Sequence, residues 1–378
     1  MSPPTLLISA GEPSGDRHAA RFLDEFRRRH PGTQAFGLGG PELRAAGLEP
    51  LARMEDLAVV GLVEAISRLP QAFRALALLE REAARRRPDL VVPVDFPDFN
   101  LRLASRARRL GLKVLYYVSP QVWAWRESRV ARIGRDVDRL AVVFPFEVEY
   151  YRKRGLTVDY VGHPLLEEMG PPPATGAFHA RHGLDPARPL VALFPGSRVG
   201  EVVRHWPLLL EAARLLAVRR PGTQAVAALA AGLPGSALAV PARSAVKVVA
   251  GEEHDLLRSA GAAAVAAGTA TLEALLAGCP QVVYYRTSPL TYALMKRAVK
   301  LRHVSLANIV GGGDVACELL QSQATPAGIA AELERLLDDP AEPARVRARA
   351  TKVVGDLGGP RASEELSRVA EGMLWPVP

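Results

Sequence analysis

The chain has 378 residues, of which 48% are hydrophobic and 23% are charged, a globular balance that excludes wholesale disorder. This length exceeds what one hydrophobic core usually organises, so we expect two domains. The 48 lysines and arginines against 40 acidic residues give a formal charge of +8, which favours anionic partners. Because the arginines are scattered along helical stretches without interleaved aromatic residues, no nucleic-acid surface is expected.

Short apolar runs alternate with longer amphipathic stretches in the first half, which predicts a parallel sheet with helical crossovers. The predicted strands are Leu6–Ser9, Ala35–Leu38, Leu90–Val94, Val114–Val118, Leu140–Val143 and Asp159–Val161. The predicted helices are Arg17–His30, Gln71–Arg87, Leu101–Leu110 and Glu147–Arg154.

A proline-rich connector, residues 162–176, separates this half from a second one with the same alternation. The second half has predicted strands at Leu190–Phe194, Gln224–Leu229, Val246–Ala250, Ala262–Ala266 and Gln281–Tyr284. The fold class is therefore α/β with two doubly wound domains. Two such domains facing each other would place a cleft at the carboxyl ends of both sheets.

Cysteine and histidine spacing favours no metal centre. Cys279 and Cys317 lack CxxC spacing, so neither a disulfide framework nor a zinc site is indicated. His163 and His205 are isolated and are predicted to be structural. The start MSPPTLLISAGEP lacks the basic residues and long apolar run of a signal peptide. We expect a cytoplasmic protein, at most peripheral on a membrane.

The turn AGEPSGD follows the first predicted strand, at the edge where doubly wound sheets bind ligands. It is not a P-loop, since no GK[ST] follows, and Gly11 and Gly15 do not have GxGxxG spacing. Ser14 or Asp16 could cap the following helix. A cap does not explain Glu12, so we favour a functional role for this turn.

The turn DFPDFN follows another predicted strand. Asp98 would suit a general base, but a helix cap by Asp98 or Asn100 is the simpler interpretation from spacing alone.

The next segment contains two tryptophans. Trp123 and Trp125 suit either stacking on a sugar or packing in the wall between the two expected domains. Four arginines spaced three apart follow, and they suit either phosphate attraction or a solvated helix face. These are Arg126, Arg129, Arg132 and Arg135.

Two strand–turn–helix junctions of the second half suit an anion. In FPGSRVGEV, backbone amides and a helix N-terminus follow a glycine turn, and Arg198 adds a guanidinium. In AAGTATLEALLAG, Gly268 and Thr269 open a second such helix. Glu273 could accept ribose hydroxyls or pair with the helix dipole. Since a carboxylate in so apolar a stretch needs a polar partner, binding is favoured.

These motifs occur in the order seen in lipid-A-disaccharide synthase, and the chain resembles that family from about residue 6 to about residue 321. The segments that carry the resemblance are AGEPSGD, DFPDFN, YYVSPQVWAWR, RIGRDVD, FPFE, VGHPL, FPGSRVGEV, AGTATLEALLAGCPQVVYYR and VSLANIVGG. The pair SPQVWAWR and PGSR is the most specific. The resemblance implies an inverting glycosyltransferase of GT-B fold that requires no metal and no cofactor.

The resemblance also implies substrates and domains. The enzyme would transfer 2,3-diacylglucosamine from its UDP conjugate to 2,3-diacylglucosamine 1-phosphate, forming the β-1′,6 lipid A disaccharide precursor and UDP. Residues 1–168 would form an acceptor-binding Rossmann-like domain, and residues 177–345 a UDP-sugar-binding one. A helical tail, residues 346–378, would pack back on the N-terminal domain.

Site residues follow from the same resemblance. The nucleotide would be bound among Phe194, Gly196, Ser197, Arg198, Glu201, Gly268, Thr269 and Glu273. The acceptor would lie near Glu12, Ser14, Asp98 and Trp125, and Asn308 in the SLxN stretch is a further cleft candidate. Asp98, with Glu12 as its rival, would take the proton of the acceptor 6-hydroxyl. Arg198 and helix N-termini would meet the charge on the UDP leaving group.

Acylated substrates imply contact with the inner face of the cell membrane. Residues 59–79 offer an apolar face and residues 295–303 offer cations, which together suit a peripheral membrane surface. Ordinary core packing with a solvated basic face is the alternative. A homodimer is left open.

The chain departs from the family pattern at Pro13, Ala267, Ala316 and Cys317. These departures leave the acyl-chain preference open.

Two other functions compete with this interpretation. The first is another GT-B enzyme of UDP-sugars, such as a UDP-N-acetylglucosamine epimerase. The second is a non-enzymatic protein that binds membranes or nucleic acid through its charge.

Overall fold

The computed structural model describes residues 3–57, 62–288, 292, 302–359 and 361–376. The chain divides into two compact units. Unit 1 is Met1–Glu168 with Leu357–Pro378, and unit 2 is Met169–Asp356. No helix among the described residues is long and apolar enough to cross a membrane.

Unit 1 contains a parallel sheet of seven strands in the order β3-β2-β1-β4-β5-β6-β7. The strands are β1 (Thr5–Ala10), β2 (Gln34–Gly39), β3 (Glu49–Arg53), β4 (Leu90–Val94), β5 (Leu115–Tyr117), β6 (Arg139–Val142) and β7 (Asp159–Tyr160). Its helices up to the connector are α1 (Pro13–Arg29), α2 (Pro41–Ala45), α3 (Met54–Leu57), α4 (Leu62–Arg86), α5 (Pro97–Arg109), α6 (Arg129–Asp136), α7 (Pro145–Arg152) and α8 (Leu165–Glu168).

Unit 2 contains a second parallel sheet, of six strands in the order β10-β9-β8-β11-β12-β13. The strands are β8 (Leu190–Phe194), β9 (Gln224–Leu229), β10 (Lys247–Ala250), β11 (Ala262–Ala266), β12 (Gln281–Tyr285) and β13 (Cys317–Leu320). Its described helices are α9 (Ala177–Arg181), α10 (Val199–Arg219), the 3₁₀ turn Gly235–Leu238, α11 (Glu253–Ser259), α12 (Thr269–Leu276), α13 (Leu306–Gly311), α14 (Pro326–Asp338) and α15 (Glu342–Asp356). The prediction of two doubly wound α/β domains is confirmed.

The last helix, α16 (Ala362–Leu374), returns to unit 1 and packs along α1. The Arg29 guanidinium donates to both carboxylate oxygens of Glu371 at 2.7 Å. The predicted tail of 346–378 is nevertheless divided, because α15 remains in unit 2. Val346, Ala350 and Val353 form one buried face of α15, which packs against α12 and α13.

Each predicted strand overlaps an observed one, but the edge strands β3 and β13 were not predicted. β3 contains Pro50 and charged ends, and an edge strand tolerates both because only one side pairs. The helices of unit 1 begin earlier than predicted, at Pro13, Pro97 and Pro145. Proline suits the first helical position, where its missing N–H is not needed.

The carboxyl ends of β1 and β4 are joined by one buried side chain. The Asn100 amide nitrogen donates to the carbonyls of Ser9 at 3.0 Å, Val94 at 3.0 Å and Asp95 at 2.8 Å. Its amide oxygen accepts from the Ser9 hydroxyl at 2.7 Å. The predicted capping role of Asn100 is therefore wrong, because the N-cap of α5 is Phe96. The amide instead fixes the two turns that follow these strands.

We expect Asn100→Ala to lower the free energy of unfolding by about 2–3 kcal/mol, because buried polar partners are left unsatisfied. Asn100→Asp should cost more, because it sets a buried carboxylate against three carbonyl oxygens. Urea unfolding curves measure both, with Ser9→Ala as the control that removes one hydroxyl. An Asp variant as stable as the Ala variant would contradict this account.

Candidate functional site

Asp98 lies in the first turn of α5, directly after the carboxyl end of β4. Its side chain is 67% exposed and carries two ion pairs. The Oδ1 atom accepts from Arg126 at 3.0 Å and from Arg129, whereas Oδ2 has only Arg126 at 3.4 Å. Oδ2 is therefore the oxygen more open to a further partner.

The turns after β1 and β4 are in direct contact. A Cβ atom on Gly11 would lie 2.2 Å from the Phe96 ring, so only glycine allows this packing. Phe96 is held there in the left-handed region, at φ 47°. Glu12 is the N-cap of α1 and Ser14 lies in its first turn, both half-buried. The contact brings the turn of Glu12 beside the turn of Asp98.

The predicted capping of α1 by Ser14 or Asp16 is wrong, because the helix begins at Pro13 and Glu12 makes no side-chain cap. The buried Asp16 carboxylate instead accepts from the backbone amides of Gly40 at 2.6 Å and Glu42 at 3.0 Å. It therefore caps α2. Burial raises the pKa of Asp16 above its ordinary value, and the backbone amides partly oppose that rise.

Trp125 is the exposed aromatic ring of this region, with 39% of its surface accessible. The guanidinium groups of Arg126 and Arg129 lie 4.3 and 5.5 Å from its ring centre. The other two arginines of the predicted array, Arg132 and Arg135, pair with Asp136. The four arginines therefore belong to two separate groups, and of these four Arg126 and Arg129 are the ones that pair with Asp98.

Trp123 packs inward. Its indole N–H donates to Glu147 Oε1 at 3.1 Å, and its ring meets Phe146 edge-on at 5.1 Å. Glu147 is buried in the first turn of α7, and its Oε2 accepts from the amides of Val143 and Phe144 at 3.2 and 3.1 Å. Burial raises the pKa of Glu147 to about 7. Sequence reasoning missed Glu147, although it lies in the FPFE segment.

The histidine of the VGHPL segment is structural in unit 1. His163 accepts from the Leu165 amide at 3.2 Å and packs on Phe144 at 5.0 Å. Burial, aided by the charge of His18, lowers its pKa to about 3. His18 pairs in turn with Glu168 at 2.5 Å.

The turn after β8 in unit 2 carries a compact charged group. The Glu201 carboxylate accepts from the Ser197 amide at 3.3 Å and from Arg198 at 3.3 Å. Gly196, at φ 119°, is needed here, because a Cβ would lie 2.7 Å from Glu201 Oε2. Arg198 is the N-cap of α10, and its side chain is 54% exposed. The turn therefore presents an amide and a guanidinium to one carboxylate.

Phe194, the last residue of β8, packs in a buried core cluster of unit 2. Its carbonyl accepts from the Tyr284 hydroxyl at 3.0 Å. His205 joins the ends of β8 and β12, since its Nδ1 donates to the Pro195 carbonyl at 2.9 Å and its Nε2 accepts from the Arg286 amide at 3.2 Å. These contacts fix the edge of the sheet from which the turn begins.

The turn after β11 is more open. Gly268 is exposed, and a Cβ there would meet nothing within 4 Å. Thr269 begins α12, and Glu273 lies one turn later, buried. The polar side chain opposite it is His254, whose Nε2 lies 3.7 Å from Glu273 Oε2, longer than a hydrogen bond. Sequence reasoning did not identify that partner, which comes from α11.

The Asn308 amide is occupied by its own loop. Its nitrogen donates to the Ala316 carbonyl at 2.9 Å and to Glu318 at 2.8 Å. Its oxygen accepts from the amides of Val315 and Ala316, both at 2.8 Å. Asn308 lines a cavity of about 610 Å³ beside β13. These bonds fasten the loop of Asn308 to β13, and a contact of Asn308 with the substrate stays a prediction.

The predicted residues thus fall into separate groups. In unit 1, Asp98 lies with Trp125 and its two arginines, and Glu12 and Ser14 lie on the neighbouring turn. In unit 2, Gly196, Ser197, Arg198 and Glu201 form one turn, and Gly268, Thr269 and Glu273 form another. The arrangement offers an exposed carboxylate in unit 1 and anion-binding donors in unit 2.

Solved structures share the fold at low sequence identity. The calicheamicin glycosyltransferase CalG4 matches with a TM-score of 0.62 and 21% identity, over 100% of both chains. A putative UDP-N-acetylglucosamine 2-epimerase from Listeria monocytogenes matches with a TM-score of 0.68 and 11% identity, over 98% of this chain and 97% of that chain. These likenesses show the fold alone, and the predicted GT-B class is confirmed.

Sequence comparisons distinguish between these activities. A family model described as lipid-A-disaccharide synthetase matches residues 6–371. The lipid-A-disaccharide synthase of Geobacter metallireducens is 44% identical over 98% of this chain and 97% of that protein. The lipid-A-disaccharide synthase of Anaeromyxobacter dehalogenans strain 2CP-C is 45% identical over 98% and 96%. Because these matches span both units at high identity, the chain belongs to the lipid-A-disaccharide synthetase family and is a glycosyltransferase.

Proposed function

We propose that the chain transfers a 2,3-diacylglucosaminyl group from its UDP conjugate to 2,3-diacylglucosamine 1-phosphate. The product is the β-1′,6 disaccharide 1-phosphate precursor of lipid A, formed with inversion, and UDP is released. The observation that carries the proposal is the exposed Asp98 carboxylate, held by two arginines beside an exposed tryptophan at the carboxyl end of a parallel sheet.

Unit 1 takes the acceptor in this proposal. The acceptor combines a sugar ring with a phosphate, and the Trp125 ring with Arg126 and Arg129 matches that combination of apolar face and cations. Asp98 Oδ2 accepts the proton of the acceptor 6-hydroxyl as that oxygen attacks the anomeric carbon. Glu12, at the N-cap of α1, is the rival base.

Unit 2 takes the nucleotide. The Ser197 amide, the Arg198 guanidinium and the N-terminus of α10 are the donors that a diphosphate prefers. Glu201 already accepts from the same donors, so the diphosphate competes with it and displaces it. The Gly268–Thr269 turn adds the N-terminus of α12, and Glu273 accepts ribose hydroxyls. Arg198 then meets the charge that grows on UDP as the glycosidic bond breaks.

The acyl chains of both substrates require an apolar surface at the inner face of the cell membrane. Leu69 and Phe73 of α4 are 46% and 47% exposed, and the Arg102 guanidinium lies 5.7 Å from the Phe73 ring. An exposed apolar helix with an adjoining cation suits interfacial binding. Of the predicted membrane surface, residues 59–61 and 295–301 lie outside the described residues.

Asp98→Asn should reduce the transfer rate by about 10²–10⁴-fold, because the amide cannot accept the hydroxyl proton. Glu12→Gln, the matched change at the rival base, should reduce it less. Mass spectrometry of the disaccharide 1-phosphate formed from the two acylated precursors measures both. If both variants stay within a few-fold of the wild type, the assignment of the base is wrong.

Arg198→Gln should weaken UDP binding by about 1.5–3 kcal/mol, the contribution of charge-assisted hydrogen bonds. Arg214→Gln is the matched control, since Arg214 also pairs with a glutamate three residues away on the same helix, α10. Isothermal titration with UDP compares the two. Equal losses, or none in either variant, would contradict the placement of the diphosphate at this turn.

Leu69→Ser with Phe73→Ser should weaken binding to vesicles of anionic lipid by about tenfold or more. The two apolar side chains that would move from water into the membrane on binding are absent from this variant. Val218→Ser, at a valine that is 69% exposed on α10, is the control for a general loss of surface hydrophobicity. Vesicle co-sedimentation measures the partition coefficient. A control that loses as much binding would contradict the assignment of α4 to the membrane.

A further inference from the structure

We propose that Glu147 is a positioning residue for transfer, because its carboxylate holds the loop of residues 119–128 in the arrangement that sets Trp125, Arg126 and Arg129 around Asp98. The loop is called the tryptophan loop below. This inference rests on the proposed function, in which Asp98 is the base. Glu147 itself contacts neither Trp125 nor Asp98 in the described contacts, and it acts through Trp123.

Helix α7 holds the tryptophan loop along its whole length. The Ser119 hydroxyl bonds to the Tyr151 hydroxyl at 2.5 Å, and the Tyr150 hydroxyl donates to the Val122 carbonyl at 3.3 Å. Arg154, just past α7, donates to Glu127 at 2.9 Å. Between these contacts, Trp123 donates to Glu147. Trp123 and Glu127 are each two residues from Trp125, so the indole hydrogen bond is the attachment that precedes the exposed ring and the Arg154 bond is the one that follows it.

The ionised carboxylate is the form that fits its surroundings. Three N–H groups point at it: the Trp123 indole on Oε1, and the backbone amides of Val143 and Phe144 on Oε2. An ionised carboxylate only accepts, so it satisfies all three, whereas a protonated one must also donate. Because Oε2 already has two donors, a proton would reside on Oε1, which then accepts less strongly from the indole N–H. Protonation therefore weakens the attachment of Trp123.

Burial makes this protonation accessible near neutral pH. The carboxyl group is buried, and this raises its pKa from 4.5 to about 7. The three N–H groups only partly counter that effect. Tyr151, one turn later on α7, is the titratable side chain that feels its charge, and no ion pair to Glu147 occurs within the described residues. The nearest ionised neighbours on the helix, Glu149 and Arg152, pair with each other at the surface.

The geometry gives stability and activity opposite dependences on pH. A carboxyl group whose pKa is raised on folding contributes stability below its unfolded pKa, and that contribution is lost as the pH rises through the folded value. Stability thus falls between pH 4.5 and about 7, because the unfolded chain ionises Glu147 while the folded carboxyl group stays protonated. In the folded protein Glu147 ionises and engages Trp123 as the pH rises through about 7, so transfer activity should rise there. A residue with a merely structural role would make activity follow stability instead.

The experiment compares Glu147→Gln, Trp123→Phe and their double variant with the wild type. Glu147→Gln replaces one accepting oxygen by an NH₂ group, and Trp123→Phe removes the indole N–H while keeping an aromatic ring of smaller size. We expect each to lower kcat by about tenfold or more through misplacement of the loop, with less change in KM. The double variant should be no worse than the worse single one, because both remove one hydrogen bond. Glu149→Gln, on the solvent side of α7, is the matched control and should retain wild-type kcat.

The pH profile of kcat supplies the second readout. The wild type should show an acid limb near pH 7 that Glu147→Gln lacks, while urea unfolding shows the variant gaining stability relative to the wild type as pH rises from 4.5 to 7. Additive single variants, or an acid limb kept in Glu147→Gln, would overturn the proposal.

Hydrogen exchange in the protein without substrate separates this inference from the proposed function. In Glu147→Gln the amides of residues 122–129 should exchange faster than in the wild type, and those in Glu149→Gln should not change. Faster exchange in a protein that forms no disaccharide would leave the loop attachment standing and reject the proposed function. If the wild type forms the disaccharide but exchange in Glu147→Gln equals that of the wild type, the attachment of the loop by Glu147 is rejected.

Discussion

The buried amide of Asn100 joins the carboxyl ends of two neighbouring strands, and the candidate residues of unit 1 depend on that junction. Its two N–H groups are shared among three carbonyls and its oxygen accepts one hydroxyl, so both ends of the amide are bonded. The turns of Glu12 and Asp98 leave from the strand ends that it holds. The Phe96 ring then packs closely against Gly11, which places the two turns in direct contact. Two carboxylates from distant parts of the sequence are thereby set on one edge of the sheet.

The same edge stores backbone strain. Asp95, Phe96, Val118 and Arg126 all have positive φ, which side chains other than glycine rarely adopt. Each costs of order 1–3 kcal/mol and persists only where surrounding contacts enforce it. The contacts are present: the Asp95 carbonyl accepts from Asn100 at 2.8 Å and from the Tyr116 hydroxyl at 2.6 Å. Strain concentrated at strand ends is typical of positions selected for chemistry.

Both units satisfy their key charged groups with their own side chains. Asp98 pairs with two arginines in unit 1, and Glu201 accepts from Arg198 and the Ser197 amide in unit 2. A substrate anion or hydroxyl in such a site exchanges one partner for another, so the site need not hold an uncompensated charge in its absence. Under the proposed function, this arrangement would also favour release, because the internal partner competes with the product for the same donors.

The sequence alone determined the two doubly wound halves, most of their strands and the turns that contain the candidate site residues. This is because the periodicity of hydrophobic residues and the composition of turns are local properties of the chain. It also marked Asp98, Arg198 and Glu273 as candidates. Only the tertiary structure decided what their neighbours do. Asp16 caps a helix two elements away, His254 partners Glu273, Asn308 fastens a strand, and Phe194 packs in the core. Those roles depend on which groups folding brings into contact, and no spacing along the chain encodes that proximity.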